Sequence, residues 1–198
     1  MDLLSNIADE GMAVFQWGVV ICASLVAARG DLRERRIPNA LTFPLLAVGL
    51  IWATWIGGLP GLAESAGACV LLALPYVLMF MFAGGGAGDA KLMGAIGAWL
   101  GLRQGAVVFV CVAAAGVVLA IAKAIEQKQL KSVLTSILVS IYTFMLLIIG
   151  RRTPQLATER QDKDMSGNKL DIPYGIAIFA GVCVTGAIVW LWGVEWLW

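Results

Sequence analysis

The sequence predicts an all-α integral membrane protein, and three observations lead to that prediction. The chain of 198 residues is 60% hydrophobic and 14% charged, whereas soluble domains have about 25% charged residues. Its mean hydropathy is +0.86. Apolar stretches of about 20 residues, the length needed to cross a hydrocarbon core of about 30 Å, recur along the chain. We expect one domain over residues 1–198, surrounded by the lipid bilayer.

Six apolar stretches are candidates for membrane spans. They lie at residues 11–29, 41–57, 63–83, 104–125, 132–150 and 173–193. The stretch 89–102 is also apolar, but as a helix it is only about 20 Å long. It is interpreted as a short separate helix, a re-entrant segment, or the start of a broken helix that continues to Ile125.

The basic residues select between six and seven crossings, because cytoplasmic loops are enriched in Lys and Arg. If residues 89–125 cross once, ten basic residues lie on one side and three on the other, and if they cross twice the counts are eight and six. The two groups of the single-crossing layout are Arg29, Arg33, Arg35, Arg36, Lys91, Arg151, Arg152, Arg160, Lys163 and Lys169 against Lys123, Lys128 and Lys131. This bias predicts a six-helix transmembrane bundle with both termini outside and residues 151–171 as a flexible cytoplasmic loop.

The composition excludes several kinds of site. The chain has no His, and its four Cys residues each lie alone in an apolar stretch, so a zinc site and a Ser-His or Cys-His nucleophile are excluded. We expect these cysteines to be buried structural thiols. No basic stripe with interleaved aromatic residues is present, which argues against nucleic acid as a partner.

Two aspartates lie at the ends of predicted spans. Asp31 lies where the first span ends, and Asp89 follows the glycine-rich run 84–88. Between them the chain crosses the membrane twice, and an even number of crossings returns both residues to the same face. We therefore expect Asp31 and Asp89 to meet at one membrane boundary.

Such a pair has a specific chemistry. Two carboxyl groups close together at a boundary of low dielectric constant cannot easily both ionise, so the pair shares one proton. The ionised member accepts a proton from water while the protonated member polarises a scissile carbonyl group. Gly86 and Gly88 allow a substrate strand to approach closely, because glycine tolerates positive φ and has no side chain. The pattern predicts peptide hydrolysis by Asp31 and Asp89 without a metal or a cofactor.

Each aspartate also has an ordinary structural interpretation. Asp89 is placed to cap the N-terminus of a helix that begins at Ala90. Asp31 is placed to pair with Arg33 or Arg35 in a solvated loop. Only the two aspartates together on one face, beside the glycine run, favour the catalytic interpretation.

At these residues the chain resembles the type IV prepilin peptidases, which are membrane aspartyl proteases with a Gly-x-Gly-Asp motif. Residues 86–89 match that motif. The segment from Asp31 to Asn39 resembles the one that carries the family's first catalytic aspartate. The element 173–175, Pro-Tyr-Gly, resembles the one that opens the family's last span.

The resemblance implies that Asp31 and Asp89 are the catalytic pair. It also makes Pro173, Tyr174 and Gly175 candidates for lining the site, although Tyr174 is equally suited to anchoring its helix at the interface. For Lys91 two roles remain open, which are contact with an acidic residue of the substrate and extension of the side chain to the lipid headgroups.

The resemblance also implies a biological setting. It implies cleavage of prepilins with apolar helices at the cytoplasmic face of the bacterial inner membrane, as in the compact members of tight-adherence (Flp) pilus systems. Larger members carry an added domain with paired CxxC motifs that is associated with N-methylation. No such motifs occur here, so we expect no methyltransferase activity. The sequence does not predict the oligomeric state.

Three alternative functions are consistent with the same residues. One is a scaffold subunit of a secretion machine, without chemistry of its own. A preflagellin-type peptidase shares the two aspartates and the chemistry, so sequence alone does not separate it from a pilin enzyme. A small ion- or proton-coupled transporter also places acidic residues in broken helices. The position of both aspartates near a membrane boundary, rather than at the midplane, favours the peptidase.

Overall fold

The computed structural model describes residues 2–83, 86–126 and 174–191, and these form four helices. They are α1 (Asp2–Glu34), α2 (Asn39–Ala83), α3 (Ala87–Glu126) and α4 (Tyr174–Leu191). All four are long and apolar enough to cross a membrane, which confirms the predicted all-α membrane class. The chain forms two compact units, residues 1–116 with 173–198 and residues 117–172, and the site described below lies entirely in the first.

Helix α1 ends with a cap that directly follows Asp31. Arg35 adopts the left-handed conformation, with φ 52, and its N–H donates to the carbonyl oxygen of Asp31 at 2.9 Å. This hydrogen bond to the residue four positions earlier satisfies the Asp31 carbonyl group, which the end of the helix would otherwise leave without a partner. Pro38 follows and cannot continue the helix. Asp31 is therefore held in the last turn of α1.

Helix α2 is folded into two arms at Gly58, residues 39–57 and 59–83. Gly58 has φ 60 and ψ −147, far from helical values. A Cβ on Gly61 would lie 2.5 Å from the carbonyl oxygen of Ala53, whereas residues eight apart in a straight helix are about 12 Å apart along the axis. The chain therefore doubles back at Gly58, as expected from the predicted spans 41–57 and 63–83.

Helix α3 also folds into two arms, residues 87–100 and 102–126, and the break lies at Gly101. Gly101 has φ 70 and ψ −173, and a Cβ on Gly105 would lie 3.8 Å from the Cα of Gly97. This separation again excludes a straight helix, in which these residues lie about 12 Å apart. The helix predicted after the glycine-rich loop, short or broken, is therefore present as a short arm that ends at Gly101.

Contacts with α2 show the direction of each arm of α3. A Cβ on Gly97 would lie 2.7 Å from the Ala68 carbonyl oxygen, and one on Gly94 would meet Cys69 and Ala73, so the first arm runs antiparallel to residues 59–83. In the second arm, Gly105 meets Leu72 and Phe109 packs edge-on against Tyr76. Because both partners advance together along the chain, the second arm runs parallel to residues 59–83.

The prediction that residues 89–125 cross the membrane once is therefore wrong. The chain reverses at Gly101, so the stretch makes two antiparallel arms, the first of about 20 Å. A count of charges could not detect this, because the reversal depends on a positive φ that glycine adopts without strain. Five of the six predicted spans overlap helical arms, and the sixth, 132–150, lies outside the described residues, as do Pro173 and the predicted loop 151–171.

The first arm of α3 is the centre of the described helices. Every residue from Leu92 to Leu100 is buried, and Leu92, Met93 and Ile96 are fully enclosed. Most large apolar side chains on the surrounding helices are exposed instead, such as Trp55 and Val118. In a bilayer those outer surfaces face lipid, so the usual contrast between an apolar interior and a polar exterior is absent.

Helix α4 packs antiparallel to α1. Gly175 at its start meets Asp31, and Gly186 near its end meets Trp17. Gly181, between them, lies against the backbone of Val112 in the second arm of α3, where a Cβ would be 2.6 Å from the Val112 Cα. The C-terminus of α1 and the N-terminus of α4 therefore lie at the same end of the described helices, next to Asp31.

The cysteines are less buried than predicted. Cys22 is exposed on α1, and Cys69, Cys111 and Cys183 are half-buried. The prediction of burial was wrong for Cys22, because an apolar residue in a membrane helix is as well accommodated on the lipid-facing side as inside the bundle.

Candidate active site

Asp31 is positioned by the close approach of α1 and α4. Its side chain is half-buried, and its Oδ2 accepts a hydrogen bond from the Gly175 backbone N–H at 2.8 Å. Gly175 is the second residue of α4, where backbone N–H groups have no partner within the helix and favour a negative charge. The start of α4 therefore orients the Asp31 carboxylate.

Only glycine allows this approach at position 175. A Cβ there would lie 2.9 Å from the Asp31 Cβ, 3.0 Å from its Oδ2 and 3.1 Å from the Ala28 Cα. The resemblance predicted Gly175 as a site-lining residue, and the structure places it in direct contact with Asp31.

Asp89 is positioned by the turn that opens α3. Gly86 has φ 89, and its carbonyl oxygen accepts a hydrogen bond from the Ala90 N–H at 3.0 Å. Asp89 lies in the first turn of the helix and is only 7% exposed. The turn thus places a buried carboxyl group where α3 enters the bundle.

The two predicted loop glycines have different neighbours. A Cβ on Gly86 would lie 3.3 Å from the Asp89 Oδ2, whereas one on Gly88 would lie 3.1 Å from the Cβ of Ile37. Gly86 therefore borders the carboxyl group itself. Gly88 allows the connection between α1 and α2 to pack against the start of α3.

The structure brings Asp31 and Asp89 together. Their carboxyl groups are close enough to interact electrostatically, although 58 positions separate them in the sequence. The two arms of α2 connect them, so the chain leaves this end of the bundle and returns to it. The charge of the Asp31 carboxylate therefore acts on Asp89, as expected for two acidic residues at one boundary.

Two tyrosines border the pair. The phenol groups of Tyr76 and Tyr174 both interact electrostatically with Asp89. Tyr174 is 42% exposed, so it lies at the rim of the site. Tyr76 is half-buried and packs edge-on against Phe109, with ring centroids 6.0 Å apart.

Sequence reasoning missed Tyr76. The available signal was a hydroxyl group inside a predicted span, two turns before the glycine-rich loop. The sequence alone does not show whether this hydroxyl group faces the site, because only the packing of α2 against α3 shows which face of the helix meets Asp89.

Lys91 does not join the carboxyl pair. It is exposed, its Nζ donates to the Asn39 Oδ1 at 2.8 Å, and it lies 5.3 Å from the centroid of the Phe43 ring. Two residues along a helix correspond to a rotation of about 200°, so Lys91 points away from Asp89. The structure separates this predicted site residue from the other described ones.

The family model and the similar proteins all identify leader peptidases. The model of the type IV leader peptidase family matches residues 18–121, just over half of the chain and a range that contains both aspartates. One similar protein is the prepilin leader peptidase/N-methyltransferase of Xanthomonas campestris pv. campestris, which is 35% identical over 92 residues, or 43% of this chain and 32% of that protein. Another is the prepilin leader peptidase/N-methyltransferase of Burkholderia pseudomallei strain K96243, which is 33% identical over 110 residues, or 50% of this chain and 33% of that protein. The chain thus spans about a third of the length of the curated relatives it matches. No solved structure gives a significant match. On the evidence of the family model, this chain belongs to the type IV leader peptidase family.

Proposed function

We propose that this chain is a membrane-embedded aspartyl endopeptidase that removes the leader from type IV prepilins, among them Flp-like prepilins with an apolar helix. The observation that carries the proposal is the proximity of Asp31 and Asp89 at one end of the described helices, where their carboxyl groups are close enough to interact electrostatically. Membership of the leader peptidase family supports the same chemistry.

The surroundings of the two carboxyl groups differ, which gives each a separate role. Asp31 accepts a hydrogen bond from the Gly175 N–H at the start of α4, and such a bond stabilises a carboxylate. Asp89 is almost fully buried, and a buried carboxyl group without a paired cation is more stable when neutral. We assign the negative charge of the pair to Asp31 and the shared proton to Asp89.

Hydrolysis then needs no other group. The Asp31 carboxylate takes a proton from water as the water oxygen attacks the scissile carbonyl carbon, and Asp89 gives its proton to the carbonyl oxygen. The resulting tetrahedral gem-diol breaks at the C–N bond. Asp31 then returns its proton to the leaving amine, and a hydroxyl proton of the intermediate restores Asp89. The extended substrate reaches the pair past Gly86, which has no side chain of its own.

The charge distribution supports placing the site at the cytoplasmic face of the inner membrane. Within residues 11–116, the basic residues near the aspartate end are Arg29, Arg33, Arg35, Arg36 and Lys91, and near the opposite end Arg103. Five against one follows the positive-inside rule, even though the chain reverses at Gly101. In this orientation both α1 and α4 lead to the outer face, so we keep both termini outside. The six helical arms of the described residues are our proposal for the transmembrane bundle.

The proposal is tested by co-expressing the chain with a candidate prepilin and following the size shift of the pilin. Asp31→Asn and Asp89→Asn are each expected to abolish processing while the protein remains inserted at its usual level. Glu34→Gln is the matched control, because Glu34 is an exposed carboxylate one turn from Asp31, and it is expected to process normally. Full processing by either aspartate variant would rule out the pair as the catalytic centre.

The same assay separates the alternatives. A panel of prepilin and preflagellin leaders shows which substrate class is preferred. A transporter would give ion or proton flux in vesicles and no processing. Methyl transfer, which the names of the relatives include, is measured on the processed pilin, and its absence remains a prediction.

A further inference from the structure

A second feature lies on the side of α3 that is turned away from Asp89. It is a cleft of about 130 Å³ between both arms of α2 and the first arm of α3. Its lining is mostly apolar and includes Leu46, Ala73 and Val77, with Thr42, Phe43 and Lys91 contributing polar or aromatic groups. Because Phe43 and Val77 are 55% and 39% exposed, the cleft opens on the surface that faces lipid in a bilayer.

Thr42 provides an unsatisfied hydroxyl group in this cleft. The residue is 2% exposed, and its Oγ1 has no hydrogen-bond partner. A buried hydroxyl normally finds a partner, since leaving it without one is costly. In the part of the chain that the structure describes, the three other buried Ser and Thr side chains, Ser24, Ser65 and Thr185, all donate to backbone carbonyl groups. The Thr42 oxygen is itself enclosed, so its hydroxyl group can donate to an acceptor only when the cleft widens around a bound ligand.

Lys91 provides a positive charge at the mouth of the cleft. Its Nζ donates to the Asn39 amide oxygen and lies over the Phe43 ring, and an ammonium group has three N–H donors. Among the described residues no carboxylate pairs with it. Two donors and the full charge are thus available to an anion, and Asn39 and Phe43 hold the group in place.

The positions of the two polar groups match one kind of ligand. Thr42 follows Asn39 by three residues, which places it about 4.5 Å further along the helix, towards the interior of the bundle. An anion at the boundary, an ester carbonyl just below it and an acyl chain deeper in the cleft follow in that order in a phospholipid. Basic pockets between transmembrane helices on the cytoplasmic side are known to bind anionic headgroups.

We propose that this cleft is a binding site for an anionic phospholipid. Lys91 binds the phosphate, the Thr42 hydroxyl donates to an ester carbonyl oxygen, and the acyl chain packs against the apolar lining. The site is distinct from the carboxyl pair, since the two lie on different faces of α3. It assigns to Lys91 a role towards lipid rather than towards the scissile peptide bond.

The experiment is a lipid titration of the purified full-length chain in neutral detergent, read by native mass spectrometry. The probes are palmitoyl-oleoyl phosphatidylglycerol and the corresponding phosphatidylcholine. Both lipids carry a phosphate, but the quaternary ammonium group of phosphatidylcholine opposes the charge of Lys91. One basic contact near the surface contributes about 1 kcal/mol, so the chain is expected to bind phosphatidylglycerol about fivefold more tightly. Lys91→Gln is expected to remove this preference, and Lys91→Arg to keep it.

The hydroxyl group is tested with variants of similar shape. Thr42→Val is expected to weaken binding of both lipids, because both carry ester carbonyl groups, whereas Thr42→Ser is expected to retain it. Arg33→Gln is the matched control, since Arg33 is an exposed basic residue of the same boundary that does not line the cleft. It is expected to keep the preference for phosphatidylglycerol.

Three results would overturn the proposal. The first is equal binding of the two lipids by the unmodified chain, and the second is an unchanged preference in Lys91→Gln. The third comes from binding of a leader-containing pilin peptide to the Asp89→Asn variant. If adding Thr42→Val or Lys91→Gln weakens peptide binding and leaves lipid binding unchanged, the cleft is a peptide site. The lipid titration contains no substrate, so its outcome is independent of the proposed peptidase activity.

Discussion

The substitution Gly175→Ala tests whether the contact between α1 and α4 sets the geometry of the site. The new Cβ would lie 2.9 Å from the Asp31 Cβ, whereas carbon atoms in contact are about 3.5 to 4.0 Å apart. Relief of this overlap requires a shift of roughly 0.6 to 1.1 Å. The hydrogen bond from the Gly175 N–H, now 2.8 Å, would then exceed the usual range of about 2.7 to 3.2 Å.

A misplacement of about 1 Å in a catalytic group lowers the rate by about 100-fold, so we expect Gly175→Ala to lower the rate of prepilin processing by about that factor. The assay is the initial rate of cleavage by purified enzyme, with membrane insertion and the thermal midpoint measured on the same samples. Gly186→Ala in the same helix is the control, because its Cβ would lie at an ordinary 3.4 Å from Trp17. A Gly175→Ala enzyme that cleaves at the unmodified rate would refute the assignment of Gly175 as the residue that positions Asp31.

Three further predictions follow from the described contacts. Gly101→Ala is expected to lower the free energy of unfolding by about 1 to 3 kcal/mol, because φ 70 with ψ −173 is a conformation almost confined to glycine. Gly116→Ala is the control, since a Cβ there would have no atom within 4 Å, and equal thermal midpoints for the two variants would contradict this reasoning. Trp99→Phe is expected to cost about 1 kcal/mol, since it removes the buried hydrogen bond from the indole N–H to the Leu45 carbonyl oxygen; denaturation in detergent measures it, and unchanged stability would count against that bond. The cleavage rate is expected to give a bell-shaped pH profile, which falls at low pH as the ionised carboxylate becomes protonated and at high pH as the shared proton is lost; a profile with one limb would exclude a shared proton.

The pairing of Asp31 with Asp89 was predictable because it depends only on counting. Two apolar stretches between them, divided by Gly57-Gly58 and Pro60, can be recognised in the sequence, and two crossings bring the chain back to the same side. The family could be recognised from the same motifs, and the matching family model confirms it.

The reversal at Gly101 was not predictable from charge. The sequence around it is apolar, and the glycines at positions 97 and 105 are equally compatible with a straight helix that packs closely against others. The distance between Gly97 and Gly105 decides the question, and it depends on the backbone conformation of a single residue.

The sequence by itself indicated the membrane class and the end of the described helices at which Asp31 and Asp89 lie, because these depend on composition and on the number of apolar stretches between the two residues. The tertiary structure decided which groups surround the carboxyl pair. The Gly175 N–H meets Asp31 across 144 positions, Tyr76 approaches Asp89 from α2, and Lys91 turns to Asn39 instead. Each of these contacts depends on how helices rotate about their axes when they pack, and the hydrophobic pattern gives little guidance on rotation where lipid and protein interior are equally apolar.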